Sequence, residues 1–112
     1  MGMTTFFISR HPGAVAWAAR QGLHIDRVLP HLDTDLVQAG DTVAGTLPLP
    51  LAADVCARSA RYLHLAVSLP LALRGQELSA DQLSALGAQL CEYKVEPLSN
   101  PIEHADPSVR QN

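Results

Sequence analysis

Five consecutive residues near the start of the chain, Ser9-Arg10-His11-Pro12-Gly13, combine the groups that an anionic ligand and a proton transfer would need. Arginine presents a forked, permanently charged cation matched to phosphate oxygens. Serine donates from its hydroxyl. Histidine titrates near neutral pH and can take or give a proton. Glycine lets a ligand come close to the backbone. Proline suits the first position of a helix, where its missing N–H would lack a partner anyway. A helix that begins there offers free amides and about half a positive charge. Together these describe a phosphate site with an acid or base beside it. Residue types alone leave a second reading open, a polar turn that only caps a helix. The segment carries neither the dinucleotide glycine pattern nor the phosphate-loop pattern.

A second turn, Gly45-Thr46-Leu47-Pro48, qualifies by its place after a strand. Other candidates are weaker. His64 falls in a strand and is expected to pack there. His24, His31 and Asp33 could in principle hold a metal, but their spacing fits no common ligand pattern, and no metal or cofactor is expected. Arg58, Arg61 and Arg74 could extend a phosphate-binding surface, yet arginines on helix ends and loops are usually only solvated. His104 is incidental. Cys56 and Cys91 form no CxxC pair or zinc-type cluster, and are expected to be buried apolar thiols in a reducing cytosol.

These residues need elements to position them. Thr4–Ile8 is β-branched and aromatic, hence a strand. Apolar spacing from Pro12 predicts a helix that Gly22 ends. Ile25–Leu29 alternates like a half-exposed strand, and His31–Gly40 reads as a loop or a single helical turn. Asp41–Thr46 is the next strand, Leu51 to about Ala60 a helix, and Arg61–Val67 a strand. In that strand Leu63, Leu65 and Val67 share one face, Tyr62 and His64 the other. Ser79 is a candidate N-cap, with Asp81 and Gln82 in the first turn of a helix whose apolar stripe runs to Leu90. Cys91–Val95 alternates like an edge strand. The order predicts a Rossmann-like α/β domain, with a mostly parallel sheet of about five strands and helices on both faces. In such sheets ligands bind at the carboxyl ends of strands.

The chain has 112 residues, 47% apolar and 17% charged, which fits one globular domain over residues 1–97. Folding a chain of this size buries roughly 65% of its extended surface, enough for a core without disulfides or metal. Residues 98–112 lack periodicity and read as a frayed tail. No apolar run is long enough to cross a membrane and no leader is recognisable at the N-terminus, so a cytoplasmic protein is expected. The formal net charge of −3 excludes a protein that coats long nucleic acid. Any anionic ligand must meet a small local site.

Phe6-Phe7-Ile8-Ser9-Arg10-His11-Pro12-Gly13-Ala14, with Trp17-Ala18 and Gln21-Gly22-Leu23, resembles a small CRISPR-associated family of the Csx series. The likeness continues through Gly40-Asp41-Thr42-Val43, Gly45-Thr46-Leu47-Pro48, Cys56-Ala57-Arg58, Ala60-Arg61-Tyr62, Arg74-Gly75-Gln76-Glu77-Leu78-Ser79 and Gly87-Ala88. It covers roughly residues 4–97, and several motifs in order are more specific than any one alone. Ser59 departs from it, since Gly is expected before Ala60-Arg61, where it would affect a helix end rather than chemistry. The resemblance implies a type III CRISPR ring nuclease that cleaves cyclic oligoadenylate, chiefly cyclic tetra-adenylate, without metal. It further implies a homodimer with the ligand across its two-fold axis. On that reading Arg10 serves the phosphate and transition state, and His11 transfers the proton. Ser9, the Gly13 backbone and Thr46 orient the phosphate, with Pro12, Gly45 and Leu47 among the ligand-binding residues. A binder that does not cut, or a regulator that binds a protein, is the alternative.

Overall fold

The computed structural model describes residues 3–98. Residues 99–112, most of the expected tail, and His104 with them, lie outside the described residues.

Five strands form one sheet in the order β2-β1-β3-β4-β5, with β1 Thr5–Ile8, β2 Arg27–Leu29, β3 Thr42–Gly45, β4 Arg61–Ala66 and β5 Gln89–Tyr93. The first four are parallel and β5 is antiparallel to β4. The expected mostly parallel sheet is what forms. Three helices cover it: α1 Pro12–Arg20, α2 Leu49–Ala57 and α3 Ala80–Ala85. Single 3-10 turns lie at Thr34–Leu36 and Leu71–Leu73.

Strand alternation sorts the core into two layers. Phe7 and Ala44 join Ala14, Trp17, Ala18, Ala80 and Leu83 under α1 and α3. Phe6, Ile8, Val43 and Tyr62 join Ala52 and Val55 of α2 on the opposite face. Small residues at Ala14, Ala18 and Ala44 let α1 lie close to the sheet, and Trp17 and Phe7, both almost fully buried, supply the bulk of this layer.

All three helices end alike. The N–H of Leu23 donates to Ala18 O and that of Gly22 to Ala19 O; Ala60 donates to Val55 O and Ser59 to Cys56 O; Ala88 donates to Leu83 O and Gly87 to Ser84 O. This is the paired-bond C-terminal motif whose penultimate residue turns left-handed. Gly22 and Gly87 fill that place in α1 and α3, and Ser59, at φ +65°, fills it in α2.

Several boundaries differ from expectation: among them β2 is Arg27–Leu29 rather than 25–29, and α2 stops at Ala57 rather than about Ala60. Gly87 ends α3 at Ala85, well before Leu90, which instead packs from β5. Consequently β5 runs Gln89–Tyr93 rather than 91–95, and the Val95 N–H donates to Cys56 Sγ at 3.3 Å. Helix α2 begins two residues early, because Pro50 in its first turn has no N–H to lose. Ser79 caps α3 as expected: its Oγ accepts from Gln82 N–H (3.1 Å), and the Gln82 side chain accepts from Ser79 N–H (2.8 Å).

The one buried acidic side chain among the described residues, Asp41, fastens the start of the sheet. Its two oxygens accept from Thr4 N–H and Gln38 N–H, each at 2.9 Å. A buried carboxylate is tolerated only with such partners.

Candidate functional site

The strand order creates a switch point. From β1 the chain crosses by α1 outward to β2, and from β3 it crosses by α2 the other way to β4. Two right-handed crossovers in opposite directions put their helices on opposite faces. Between β1 and β3 the loops therefore diverge, and a crevice opens at their carboxyl ends, where open α/β sheets bind ligands. Ile8 is in register with Leu29 on one side and Gly45 on the other. The residues that follow these three, Ser9, Pro30-His31 and Thr46, arrive at one level.

They line a cleft of about 280 Å³ together with Arg10 and His11. The turn that carries them is held by its own backbone. Ser9 N–H donates to Leu29 O at 2.9 Å, and Ser9 Oγ accepts from His11 N–H at 2.9 Å. The Ser9 hydroxyl proton is left to donate elsewhere. Arg10 is exposed and has no acidic partner among the described residues, whereas Arg20, Arg58 and Arg61 are each paired. No acidic residue stands in the first turn of α1, and no side chain among the described residues caps it. Ala14 and Val15 N–H both turn back to His11 O and Pro12 has no N–H, so Gly13 N–H is the amide left open there, with the helix dipole behind it. Among the described residues Arg10 is thus an unpaired cation at the cleft of a net acidic molecule.

His11 lies 3.4 Å from Glu77, Nδ1 to Oε2. With the Nδ1 proton donated to Glu77, Nε2 is the ring nitrogen left to exchange a proton with a ligand. Both side chains are more than half exposed, so the contact orients the ring more than it binds it.

Thr46 forms the opposite wall, its hydroxyl donating to Leu65 O at 3.3 Å. Behind it Tyr62 braces the β3–α2 turn. The Tyr62 hydroxyl accepts from Leu47 N–H at 2.9 Å and lies 2.7 Å from His64 Nδ1 and 3.3 Å from Gly45 O. Burial pushes the Tyr62 phenol above its ordinary value, against the opposing Leu47 contact, so it stays a neutral hydroxyl near pH 7. Leu47 itself is buried in the core with its amide already committed, and so does not line the cleft. Gly45, at φ +140°, is required by geometry: a Cβ there would stand 2.6 Å from Ile8 O.

The cleft thus brings together Ser9, Arg10, His11, Gly45 and Thr46. Pro12 lines an adjoining groove. Gly13 has a different reason from the one expected. A Cβ on it would lie 1.8 Å from the Leu78 carbonyl oxygen, so its bare Cα lets α1 pack against the segment leading into α3. The sequence reading missed His31 and Glu77 as site residues. His31 could have been found as the residue just past a parallel strand; Glu77 carries no local signal.

The remaining candidates disperse. His24 pairs with Asp26 at 3.1 Å, and Asp33 accepts from Asp35 N–H as the cap of a 3-10 turn. With His31 in the cleft, these three are not brought together, and no metal-type cluster of three His, Cys, Asp or Glu occurs among the described residues. Arg58 pairs with Asp35, and Arg61, at the amino end of β4, grips Glu92 through two bonds of 3.1 and 3.0 Å. Neither arginine extends the cleft, which sits at the other end of the strands, and Arg74 closes the second 3-10 turn. His64 packs edge-on to Tyr62 and Tyr93. Both cysteines are half-buried rather than buried, Cys56 on α2 beside the end of β5 and Cys91 on β5 itself. Among the described residues no helix is long and apolar enough to cross a membrane.

Residues 6–96 match the model of a family described as "putative CRISPR-associated protein (Cas_VVA1548)". No curated protein matches, and no solved structure matches.

Proposed function

This chain belongs to that CRISPR-associated family, and from that premise we propose that it is a ring nuclease of type III CRISPR systems, cutting cyclic oligoadenylate, chiefly cyclic tetra-adenylate. The observation that carries the reading is the convergence of Ser9, Arg10, His11 and Thr46 in one cleft at the β1/β3 switch point. The family alone supports only the CRISPR association.

The reaction suits what these residues offer. The ligand's own 2′-hydroxyl attacks the adjacent phosphorus; the 2′-O–P bond forms and the P–O5′ bond breaks, leaving a 2′,3′-cyclic phosphate and a 5′-hydroxyl. The nucleophile is tethered, so the protein has to align it and stabilise charge. His11 transfers the proton, taking it from the 2′-hydroxyl or giving it to the leaving 5′-oxygen. Arg10 and the Gly13 N–H carry the charge growing on the phosphoryl oxygens. Ser9 and Thr46 orient the phosphate. A homodimer with the ring across its axis would double each of these groups, which suits a tetra-anionic ring held by a net acidic protein.

The test is incubation of the protein with cyclic tetra-adenylate in EDTA, followed by chromatography and mass spectrometry. Linear di-adenylate ending in a cyclic phosphate supports the proposal. An intact ring that co-elutes with the protein makes it a binder instead, and cleavage only with added metal overturns the mechanism.

A further inference from the structure

A second groove of about 430 Å³ adjoins the cleft and shares Ser9, Arg10 and His11 with it. Its other walls are Pro12, Val15 and Ala16 of α1 and Val28 of the edge strand β2. Val28 is 47% exposed on a strand with no neighbour on its outer side among the described residues, and Ala16 is exposed on the helix. One end of this surface is a cation and hydroxyl set for phosphate; the other is apolar and built from small side chains. A nucleotide has that same division, an anionic phosphate joined by one sugar to a flat, weakly polar base.

We infer that the α1–β2 groove is the subsite for the nucleobase attached to the phosphate bound by Ser9, Arg10 and His11. This rests on the proposed function and deepens it, naming what lies beside the phosphate. Ala16 sets the room available, since any larger side chain there projects into the groove. Val15, Ala16 and Val28 cover one face of the base, and the exposed Arg10 guanidinium, at the border of the two sites, is placed to lie against it. Apolar walls with no fixed donor at the base edge accept a purine by shape, so adenine and guanine should be held alike and ribose phosphate without a base less well.

Calorimetric binding of adenosine 5′-monophosphate and of ribose 5-phosphate to the full chain tests this. Covering one face of the base should make adenosine 5′-monophosphate bind about tenfold more tightly than ribose 5-phosphate. Ala16→Leu, on an exposed helical position that favours Leu, should remove that difference while leaving ribose 5-phosphate unchanged. Val28→Asp, with folding checked by circular dichroism, should do the same by a separate route. Equal binding of the two ligands by the native protein overturns the inference, as does adenosine 5′-monophosphate affinity unaltered in both variants. A switch from dimer to monomer in both variants, read by light scattering, makes the groove a contact between copies and overturns it too. The two readings fail separately. Cyclic tetra-adenylate cut with an unchanged KM by Ala16→Leu removes the base subsite and leaves the nuclease standing. A base-dependent affinity lost in Ala16→Leu, in a protein that does not cut the ring, removes the nuclease and leaves the nucleotide site.

Discussion

If His11 moves a proton, its two ring nitrogens have separate duties: Nδ1 faces Glu77, and Nε2 meets the ligand. His11→Ala should therefore slow ring cleavage by ~10²–10⁴ with binding retained. Arg10→Ala should cost about 1.5–3 kcal/mol of charge-assisted contact, read as weaker binding, slower turnover or both. Cleavage untouched by both changes would end the assignment. Glu77 acts only through His11, so Glu77→Ala should cost roughly ten- to a hundredfold in kcat at steady KM, with Glu77→Asp restoring part of it. A rise in KM alone would make Glu77 a ligand contact. Ser9, Arg10 and His11 were legible in the sequence because they directly follow a β-branched run and precede a proline that opens a helix. His31 was signalled only by its place just past a strand, and Glu77 not at all, because its place depends on which loops become neighbours and no local pattern carries that.

Helix ends show a similar division. Gly22 announces the end of α1, but the apolar stripe of α3 continues through Gly87 to Leu90, which satisfies a helical period and a strand face equally. Only the left-handed turn at Gly87 separates the two. Ser59 holds the same place in α2 at φ +65°, where a side chain costs energy that glycine does not. Ser59→Gly should raise unfolding free energy by about 1 kcal/mol in urea titration; an unchanged or lowered value would mean that the serine relieves its own strain. Gly13 is the reverse case. Gly13→Ala puts a methyl 1.8 Å from Leu78 O, so α1 must shift off its seat. A loss of ~1–3 kcal/mol is expected, and cleavage should fall with it, since the start of α1 carries His11. Full stability in that variant would show that α1 has slack the packing does not suggest.

Across the whole molecule, the layering was predictable because alternation in the strands and helical spacing between them leave few arrangements of a short α/β chain. The strand order was not, and the crevice depends on it. Acid should loosen this assembly partly through β5. The Arg61 guanidinium, bonded to Glu92, holds that carboxyl below its ordinary value. A lowered folded value contributes stability that is present above the unfolded carboxylate range and lost as pH falls through the folded one. Arg61 is raised and stays charged throughout, so it adds no titration of its own in that window. Thermal midpoints of the native protein and Glu92→Gln should differ at neutral pH and converge in acid; a constant offset would mean that the pair does not titrate with folding.

The crevice has one more consequence, because it lies on a seam. Residues 5–29 form one local strand–helix–strand unit and residues 42–93 another, and β1 beside β3 is the pairing that joins them. Ser9, Arg10 and His11 belong to the first unit, Gly45 and Thr46 to the second. A ligand that touches both binds only while the seam is closed, so at a hundred times its dissociation constant it adds about 2.7 kcal/mol against opening. Amide exchange in β1 and β3 should slow in step, and proteases should find the chain harder to cut. The protein's lifetime would then follow the concentration of what it binds, long while the ligand is present and shorter once it is gone.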